Sequence, residues 1–544
     1  MKLIRLLLKN SWVTVILAAL TGLLSGGSSA GLIALINLTL RDIQLPTNTL
    51  AWSFVGLCLL LFVTTTASQV LIARLAEEVI FNLRMLLNQR ILACPLRHLE
   101  EIGSARLLAT LTEDIEVISS ASISVSGLFV NVAILVACLL YLSWLSVPVF
   151  FFILGFMVLG IFSHTLLVTK GRDSFKLSRE VRDRLYEHFR TTTEGTKELK
   201  LHHSRRQAFL SQDLQATAAS SRHYRVAAMS IFALAGSWGL LLFFVPIGLL
   251  IFGLPLLRNI PVSVLSGYAL TIIFMITPLR GILNTLPDLS RANVALDKIE
   301  SLGLSLVAQK TEQELTIPVD SQLDWNLLEL VGVTHAYRGE REEHRFILGP
   351  LDLTFHRGEL VFIVGGNGSG KSTLVKLLVG LYIPESGEIQ FDGKAITDKN
   401  REWYRQQFSV VFSDFYLFSR LLGLDTSALS NQTQKYLEKL ELDHKVQVKD
   451  GVLSTTALSQ GQRKRLALLT AYLEDRPIYI FDEWASDQDP VFKEVFYTQL
   501  LPELKSRGKT VLVVSHDDRY FEVADRIVKL DYGKIHYNKQ LYIQ

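Results

Sequence analysis

The sequence has few cysteines, little net charge and few charged residues for its length. Its three cysteines, Cys58, Cys94 and Cys138, are an odd number at unrelated spacings, so they predict neither a disulfide framework nor a metal site. Two of them lie inside apolar runs, and we expect all three to be buried, inert thiols. The net charge of +3 comes from basic residues that are spread along the chain rather than clustered. We therefore expect no nucleic acid or other polyanion as a partner.

What the sequence has in abundance is apolar residues, and they are unevenly distributed. Hydrophobic residues make up 49% of the 544 residues, a fraction that suits a membrane half joined to a soluble half. Long uncharged runs fill the first half, whereas the rest alternates charges with short apolar stretches. The length also exceeds that of a usual single domain. We predict a transmembrane domain over 1–300, a linker over 301–325 and an α/β domain over 326–544.

Six stretches of the first half are long enough to cross a bilayer, which takes roughly 20 apolar residues in a helix. They lie near residues 12–40, 50–73, 121–143, 147–168, 226–252 and 260–280. The first follows Lys2, Arg5 and Lys9, as the core of a secretory signal would. Its apolar run is roughly 30 residues, against roughly 7 to 15 for a signal core, and more spans follow. The sequence therefore predicts an all-α domain of six helices embedded in the lipid bilayer.

Arginine-rich segments between the spans predict the orientation, because Lys and Arg are retained on the cytoplasmic side during insertion. Residues 74–120 and 170–225 are long and rich in arginine, whereas the alternate loops carry only Arg41 and Arg258. Both termini are thus predicted to be cytoplasmic. Apolar residues recur at helical spacing in the two long segments, so we interpret them as cytoplasmic extensions of the membrane helices.

Two parts of these extensions are candidates for short helices that dock onto the C-terminal half. The first is Gly103 together with Leu107–Ile118, and the second is Glu194–Leu199, which includes Gly195. The alternative is that both are ordinary solvated helix faces.

Polar residues inside the spans are costly unless they face protein or water, so they indicate a pathway. These residues are Ser25, Ser28, Ser29, Asn37, Thr64 to Thr66, Gln69, Asn131, His164, Tyr268, Thr271 and Thr277. Ser and Thr also bond commonly to helix carbonyls, which is the structural alternative for most of them. We interpret His164, near the inner end of its span, as structural or interfacial, with a role as a ligand or proton relay as the alternative.

A glycine-rich loop follows a short apolar run, Leu360–Val364, and precedes a helix-like segment. Strand, glycine loop and helix are the required setting of a phosphate-binding loop, in which backbone N–H groups and the helix N-terminus face the phosphates. Lys371 is predicted to neutralise the outer phosphates and the Ser372 hydroxyl to reach Mg²⁺. The predicted ATP-binding residues here are Gly365, Gly366, Asn367, Gly368, Ser369, Gly370, Lys371, Ser372 and Thr373.

A second apolar strand, Ile478–Phe481, ends in two acids. Asp482 is predicted to hold Mg²⁺ or its water, and Glu483 to polarise the water that attacks the γ-phosphate. Taken alone, such a pair is typical of a solvated strand end. The phosphate loop upstream favours the catalytic interpretation.

Between these two elements lies Leu458-Ser459-Gln460-Gly461-Gln462, which resembles the signature segment of ATP-binding-cassette (ABC) proteins. The resemblance implies ATP contacts for Ser459, Gly461 and Gln462. It also implies that Tyr337 stacks on adenine, that Asp489 lies in the loop after the acids, and that His516 is a catalytic histidine at the γ-phosphate. The fold it implies is a type I ABC exporter-like membrane domain fused to an α/β P-loop NTPase cassette.

The run Asp482–Pro490 and the inner-loop run Glu194–Leu201 resemble the cyclic-peptide exporter group of bacterial half-transporters, with its pyoverdine-type, syringomycin-type and microcin-type members. In that family the signature Ser and Gly complete the nucleotide site of the opposite subunit. With one phosphate loop and one signature, the chain is therefore expected to homodimerise, although a heteromer with a similar chain is the alternative. The expected location is the bacterial inner membrane.

Two departures from the general cassette pattern accompany this resemblance. Where most cassettes have a Gln that coordinates Mg²⁺, this chain offers Ser413 and then Asp414, either of which is a candidate ligand. Asp487 and Gln488 replace the usual small and apolar pair before Asp489. Both departures are typical of the subgroup.

The resemblance implies an ATP-hydrolysing exporter that uses ATP and Mg²⁺ to move a cyclic peptide, a peptide siderophore or a similar secondary metabolite out of the cytoplasm by alternating access. A lipid or multidrug flippase with the same machinery is one alternative. A membrane protein that is gated by ATP and transports nothing is the other.

Overall fold

The computed structural model describes residues 5, 12–41, 47–253, 261–302, 325–336, 346–424 and 429–541. The chain divides into two compact units. The membrane unit comprises residues 1–92 and 104–309, and the cassette unit comprises residues 93–103 and 310–544. A short segment from within the first half of the sequence thus belongs to the second unit. Most of the predicted linker, over 303–324, lies outside the described residues.

The described part of the membrane unit is helical throughout. The α-helices up to residue 302 are α1 (Trp12–Arg41), α2 (Thr47–Ala93), α3 (Leu96–Ile102), α4 (Ser104–Ala109), α5 (Ile115–Leu145), α6 (Val147–Glu194), α7 (Thr196–Leu201), α8 (His203–Ala208), α9 (Gln215–Gly248) and α10 (Val262–Ser301). Of these, α3 belongs to the cassette unit. Short π-helical stretches lie at Thr110–Asp114, Phe209–Leu214 and Leu249–Gly253.

Six helical segments in the described residues are long and apolar enough to cross a membrane, which confirms the predicted number of spans. Helices α2 and α6 contain 47 and 48 residues. At about 1.5 Å per residue each is about 70 Å long, more than twice the hydrocarbon core of a bilayer. The predicted helical extensions beyond the spans are therefore present.

Most polar side chains inside the spans bond within the helix that carries them. The hydroxyls of Ser28, Ser29, Thr64 and Thr271 each donate to the carbonyl four residues earlier, at 2.6 to 2.9 Å. Such bonds satisfy a hydroxyl without a second helix. The contacts of these four residues therefore match bonding to helix carbonyls rather than the lining of a pathway.

Other polar residues of the spans bond between helices, as Ser25 and Thr65 do, with their hydroxyl oxygens 2.7 Å apart. Asn37 donates to the Tyr141 hydroxyl at 3.1 Å and to the Ser263 carbonyl at 3.0 Å. The fully buried Tyr268 donates to the carbonyls of Leu142 and Ser146 at 2.8 and 2.7 Å. The contacts of Asn37 and Tyr268 fix the start of α10 against the end of α5, so they serve packing.

The cysteine prediction was only partly right. All three cysteines are free thiols, but only Cys138 is buried, whereas Cys58 and Cys94 are half-buried. Burial raises the pKa of the Cys94 thiol above its usual value, which keeps this thiol protonated and unreactive.

The cassette unit alternates strands and helices. Its strands are β1 (Leu327–Ala336), β2 (Ile347–His356), β3 (Leu360–Gly365), β4 (Ser386–Phe391), β5 (Lys394–Ala395), β6 (Phe408–Val411), β7 (Val448–Lys449), β8 (Val452–Leu453), β9 (Ile478–Asp482), β10 (Thr510–Val514), β11 (Arg526–Asp531) and β12 (Lys534–Gln540). Its further α-helices are α11 (Lys371–Leu378), α12 (Arg401–Arg405), α13 (Ser430–Lys439), α14 (Gln460–Glu474), α15 (Pro490–Val495) and α16 (Leu501–Ser506).

The central sheet of the cassette positions the candidate site. Its strand order is β12-β11-β3-β10-β9-β6, and all neighbours from β11 to β6 are parallel. A second sheet, β2-β1-β4-β5, is antiparallel. Strands β3, β9 and β10 are almost entirely buried, as expected for parallel strands covered on both faces. Because β3, β10 and β9 are parallel neighbours, their carboxyl ends lie at the same edge of the sheet.

The short helix α3 belongs to the cassette unit through polar contacts. Arg97 donates to a Glu385 carboxylate oxygen at 2.8 Å and to the Ala336 carbonyl at 3.0 Å. Glu100 accepts from Lys376 at 2.7 Å and also from the Tyr382 hydroxyl. These pairs attach α3 to both the antiparallel sheet and the helix that follows the phosphate loop.

The helix that belongs to the cassette unit lies just before the first docking candidate, and docking by the two candidates stays a prediction. The helix packed on the cassette is Leu96–Ile102, which ends immediately before Gly103, whereas Leu107–Ile118 lies within the membrane unit. Gly103 ends the helix with φ +83°, a positive value that favours glycine. In the second candidate, Gly195 separates α6 from α7, and both helices lie within the membrane unit.

Candidate nucleotide-binding site

The phosphate loop leaves β3 at Gly365 and enters α11 at Lys371. Gly368 and Gly370 have φ values of +75° and +101°, which residues with a Cβ adopt only at a cost. A Cβ on Gly365 would lie 2.4 Å from the Leu530 carbonyl oxygen, so that position also requires glycine. The glycine spacing recognised in the sequence thus has a backbone reason at three positions.

Lys371 folds over the loop that precedes it. Its Nζ donates to the carbonyls of Gly365 and Gly366 at 3.1 and 3.0 Å, and lies 3.9 Å from a Glu483 carboxylate oxygen. Burial lowers the pKa of Lys371, while the negative charges of Glu483 and Asp482 oppose that shift. Burial makes the ammonium group costly without a close anion, so a phosphate beside Lys371 would stabilise its charged form.

The loop also contains a buried hydroxyl with no protein partner. Ser369 is 4% exposed, and its Oγ makes no hydrogen bond within the described chain. Buried polar atoms are nearly always bonded, so an orphan hydroxyl in a glycine loop indicates a ligand oxygen. The loop residues therefore fit phosphate.

Asp482, at the tip of β9, lies between two serine hydroxyls. Ser372 donates to its Oδ1 at 3.4 Å and Ser413 to its Oδ2 at 3.3 Å. Burial raises the pKa of Asp482, the Ser372 hydrogen bond lowers it, and the Glu483 charge raises it further. Of the two candidates in place of the usual Gln, Ser413 is the residue whose side chain reaches the acid.

Glu483 follows with an unusual backbone conformation. Its φ is +50°, in the left-handed region that non-glycine residues seldom occupy, and its N–H donates to the Val514 carbonyl at 3.1 Å. Its carboxylate lies 3.2 Å from the His516 Nε2. Strain of this kind persists where the surrounding structure imposes it and clusters at functional sites. The half-exposed Glu483 and His516 thus form an acid and imidazole pair beside Lys371.

The signature segment begins helix α14. Ser459 is the N-cap residue: its hydroxyl accepts from the Gln462 N–H at 3.4 Å, and the Gln462 side chain accepts from the Ser459 N–H at 3.3 Å. This capping box fixes the first turn and leaves the helix N-terminus, with its partial positive charge, at the surface. Gly461 allows a close approach, since a Cβ there would lie 2.7 Å from the Asp487 carbonyl oxygen.

Two basic residues of α14 that sequence reasoning missed join the signature helix to the loop after the acids. Lys464 is 2% exposed and contacts the Glu483 carbonyl, the Ser486 hydroxyl and the Asp487 carboxylate at 2.7 to 2.9 Å. Arg465 donates to the Gln488 side chain at 2.9 Å. The unusual pair Asp487 and Gln488 thus has partners on α14.

Asp489 completes this link. Its carboxylate caps α15 by accepting from the Phe492 N–H at 2.9 Å, and it accepts from Arg465 at 2.5 Å. Those interactions, the backbone hydrogen bond first and the Arg465 charge with it, lower the pKa of Asp489. The predicted adenine-stacking residue, Tyr337, lies outside the described residues.

A glycine loop between a parallel strand and a helix, acids on a nearby strand tip, and a capped Ser-Gln-Gly-Gln helix start define a P-loop ATPase of the cassette type. Two family models match the chain: one described as ABC transporter over residues 348–486, and one described as ABC transporter transmembrane region over residues 10–279.

Three relatives extend this result. The ATP-binding protein SyrD of Pseudomonas syringae pv. syringae is 37% identical over 537 residues, covering 97% of this chain and 94% of SyrD. An ATP-dependent lipid A-core flippase of Alkalilimnicola ehrlichii is 27% identical over 89% of this chain and 83% of its own. The alpha-hemolysin translocation ATP-binding protein HlyB of Escherichia coli is 34% identical over 35% of this chain and 28% of its own.

The chain belongs to the ABC transporter family. It is a multi-pass membrane protein of the exporter kind with an ATP-binding domain, and its ATPase activity is coupled to transport. The predicted fold, a six-helix type I exporter-like domain fused to a P-loop NTPase cassette, is confirmed.

Proposed function

We propose that the protein exports a cyclic peptide, a peptide siderophore or a similar secondary metabolite from the bacterial cytoplasm, as a homodimer in the inner membrane. The observation that carries the ATP-driven part is the meeting of Lys371, Asp482 and Glu483 at one edge of the central sheet. The identity to the ATP-binding protein SyrD along nearly the whole chain supports the ATP-driven part. The peptide class draws on the run Asp482–Pro490, which resembles the peptide exporter group.

Mg²⁺ fits the oxygen groups around Asp482. Hard divalent cations take carboxylate and hydroxyl oxygens, and Ser372, Ser413 and Asp482 supply three of them. A buried carboxylate whose pKa is raised by burial is stabilised as the anion by a nearby cation, which is a further reason to place the ion here. When bound, Mg²⁺ would neutralise charge on the outer phosphates.

The remaining residues act on nucleotide and water. Lys371 and the loop N–H groups bind the phosphates, and Ser369 donates a further hydrogen bond. Glu483 accepts a proton from the attacking water, while His516, 3.2 Å away, holds the carboxylate in position and contacts the γ-phosphate. The left-handed backbone at Glu483 fixes the direction of its side chain.

Two chains are required because the signature and the phosphate loop of one chain serve different sites. Ser459, Gly461 and Gln462 would complete the site built on Lys371 of a second copy, with Asp489 beside it. Nucleotide binding in the closed dimer then supplies the free energy that reorients the membrane helices. Helix α3, attached to the cassette by Arg97 and Glu100, is the element through which the motion would pass. The cassette and both termini would face the cytoplasm.

A lipid flippase is the second candidate. Lipid A-core flippases match 89% of this chain, which is broad coverage at a lower identity than that of SyrD. Transport assays with a labelled cyclic peptide and a labelled lipid, each in vesicles that hold the purified protein, separate these two candidates.

Glu483→Gln tests the proposal. The variant should retain ATP binding, because the amide has the same size as the carboxylate. Its rate of hydrolysis should fall by about a hundredfold or more, because the amide cannot accept a proton from water. Wild-type protein in inverted vesicles should accumulate a cyclic peptide only when ATP is present, and the variant should not.

Glu494→Gln is the matched control, because Glu494 is an exposed glutamate on α15, away from the strand tip. It should hydrolyse ATP at the wild-type rate. Undiminished phosphate release by Glu483→Gln would overturn the catalytic assignment. ATP hydrolysis without accumulation of any cargo would instead favour the non-transporting alternative.

A further inference from the structure

A cavity of about 500 Å³ lies within the membrane unit, between α6, α9 and α10. Its walls are mainly apolar and include Ile153, Phe156, Met157, Phe243, Ile272 and Met275. This volume falls in the range of roughly 300 to 1,000 Å³ that is typical of small-molecule sites. The cavity is thus large enough to hold an organic molecule.

Glycines create much of this space. Gly160, Gly236 and Gly239 all line the cavity. A Cβ on Gly236 would meet no atom within 4 Å, and a Cβ on Gly239 would lie 3.4 Å from the His164 ring. Larger residues at these positions would fill the volume or displace His164.

The polar lining residues gather at one end. The Tyr268 bonds join the start of α10 to the end of α5, so these two helices are antiparallel. Because α5 turns directly back into α6, helices α6 and α10 run in the same direction. Along α6 the lining passes from Ile153 to His164, a rise of about 16 Å, and along α10 from Ile272 to Asn284, about 18 Å. His164, Arg280 and Asn284 therefore lie at the same end.

The charge at this end is unbalanced. Among the described residues that line the cavity, Arg280 is the one with a formal charge, and none is a carboxylate. The Arg280 side chain is exposed and thus accessible at this end, and its planar guanidinium pairs best with a carboxylate through two parallel hydrogen bonds. His164 and Asn284 add hydrogen-bonding groups next to it. The apolar end, by contrast, offers only hydrocarbon and aromatic contacts.

We propose that this cavity binds the cargo, and that the cargo is an amphipathic acid, with an alkyl or aromatic part against Phe156 and Met275 and a carboxylate on Arg280. The inference rests on the proposed export function and narrows its substrate class. His164 then contacts the ligand, which is the alternative that the sequence left open.

The test uses the full-length protein in lipid nanodiscs and two ligands that differ in one group, N-dodecanoyl-alanine and the neutral N-dodecanoyl-alaninamide. A charge-assisted hydrogen bond should make the acid bind about tenfold more tightly than the amide. Arg280→Gln should reduce this ratio to about one while the amide binds as before, and Arg280→Lys should keep part of it.

Matched controls separate recognition from folding. Arg291→Gln removes an exposed arginine of the same helix that pairs with Asp288 and does not line the cavity, so the ratio should persist. Gly236→Leu should weaken binding of both ligands by filling the space. Gly155→Leu, at another glycine where an added Cβ meets nothing, should not.

Equal binding of acid and amide by the wild type, or a ratio that survives Arg280→Gln, would overturn the proposal. Failure of both ligands to bind would do the same, as would be seen if helices of a second copy fill the cavity in the dimer. Each of these results leaves the export proposal standing if ATP-dependent accumulation in vesicles persists. Loss of that accumulation in the wild type would overturn the export proposal instead.

Discussion

Polar side chains behave differently in the two units. In the cassette they bond between elements distant in sequence: Lys464 of α14 reaches Asp487, and Arg97 of α3 reaches Glu385. In the membrane unit most hydroxyls return to the carbonyl of their own helix, as Thr271 does. In the cassette, water competes for the same hydrogen bonds, so a polar side chain keeps one position only when several protein partners hold it. In lipid no water competes, and a single hydroxyl can bond to a carbonyl of its own helix.

This difference guides the choice of polar residues as candidates for function. In the cassette the proposed catalytic acid and the residues around it have several partners each, as hydrolysis with fixed geometry would require. In the membrane unit the candidates are the groups that the packing leaves open, His164 and Arg280, because a cargo must enter and leave.

Among the variants that compare the two units, the largest effect should come from removing Lys464, which is only 2% exposed. Lys464→Met deletes contacts with the Glu483 carbonyl, Ser486 and Asp487, so it should release the loop that holds the proposed catalytic acid. Hydrogen bonds to charged groups are worth about 1.5 to 3 kcal/mol, so ATPase activity should fall by about tenfold or more. Phosphate release and thermal unfolding report the two effects.

Lys435→Met, at an exposed lysine of α13, should change neither quantity. If Lys464→Met hydrolyses ATP at the wild-type rate, the contacts of Lys464 do not fix the geometry that hydrolysis requires.

A smaller effect should follow from a packing hydroxyl in the membrane unit. Tyr268→Phe removes the bonds to the Leu142 and Ser146 carbonyls and should lower the free energy of unfolding by about 1 kcal/mol. The preference for acid over amide should be unchanged, because Tyr268 does not line the cavity.

Tyr186→Phe, at an exposed tyrosine of α6, should leave stability at the wild-type value. A shift in ligand preference without any loss of stability in Tyr268→Phe would show that this hydroxyl acts on cargo instead.

A third effect, on stability alone, concerns pH at the attachment of α3. His335 is buried and stacked on Tyr382, with ring centroids 4.7 Å apart. Burial, and then the nearby Arg97 charge, lower its pKa below the usual 6.5, against the opposing charges of Glu385 and Glu100. The neutral imidazole is therefore the form that the fold favours. The stability that the neutral His335 ring contributes is fully present above pH 6.5, and it is lost as the pH falls below that value toward the lowered pKa.

One proton changes the free energy of unfolding by at most about 1.4 kcal/mol per pH unit. Thermal unfolding between pH 7.5 and 5.5 should thus show a larger loss for wild type than for His335→Phe, which keeps the ring stacking and cannot titrate. Parallel curves for the two proteins would contradict the assignment.

Local patterns predicted the elements whose chemistry is contiguous in sequence. The spans are long apolar runs, and the phosphate loop and the acids Asp482 and Glu483 each follow a short apolar strand, so a window of ten to thirty residues contains the signal. The parallel order of β3, β10 and β9 then brings these segments together.

Pairs that form only in three dimensions escaped prediction. Lys464 lies 23 residues before Asp487, and nothing local marks either as the partner of the other. Helix α3 was missed for the same reason, since Arg97 and Glu100 find their partners about 280 residues later in the chain. The choice between Ser413 and Asp414 also required the position of Asp482.

The inclusion of residues 93–103 in the cassette unit has a consequence for preparing that unit alone. A fragment that starts near residue 326 would leave Lys376 and Tyr382 without Glu100, and Glu385 without Arg97. Such a fragment would present to solvent a surface that the intact chain covers with its own helix. Supplying Leu96–Ile102 as a separate peptide would restore that covering in trans.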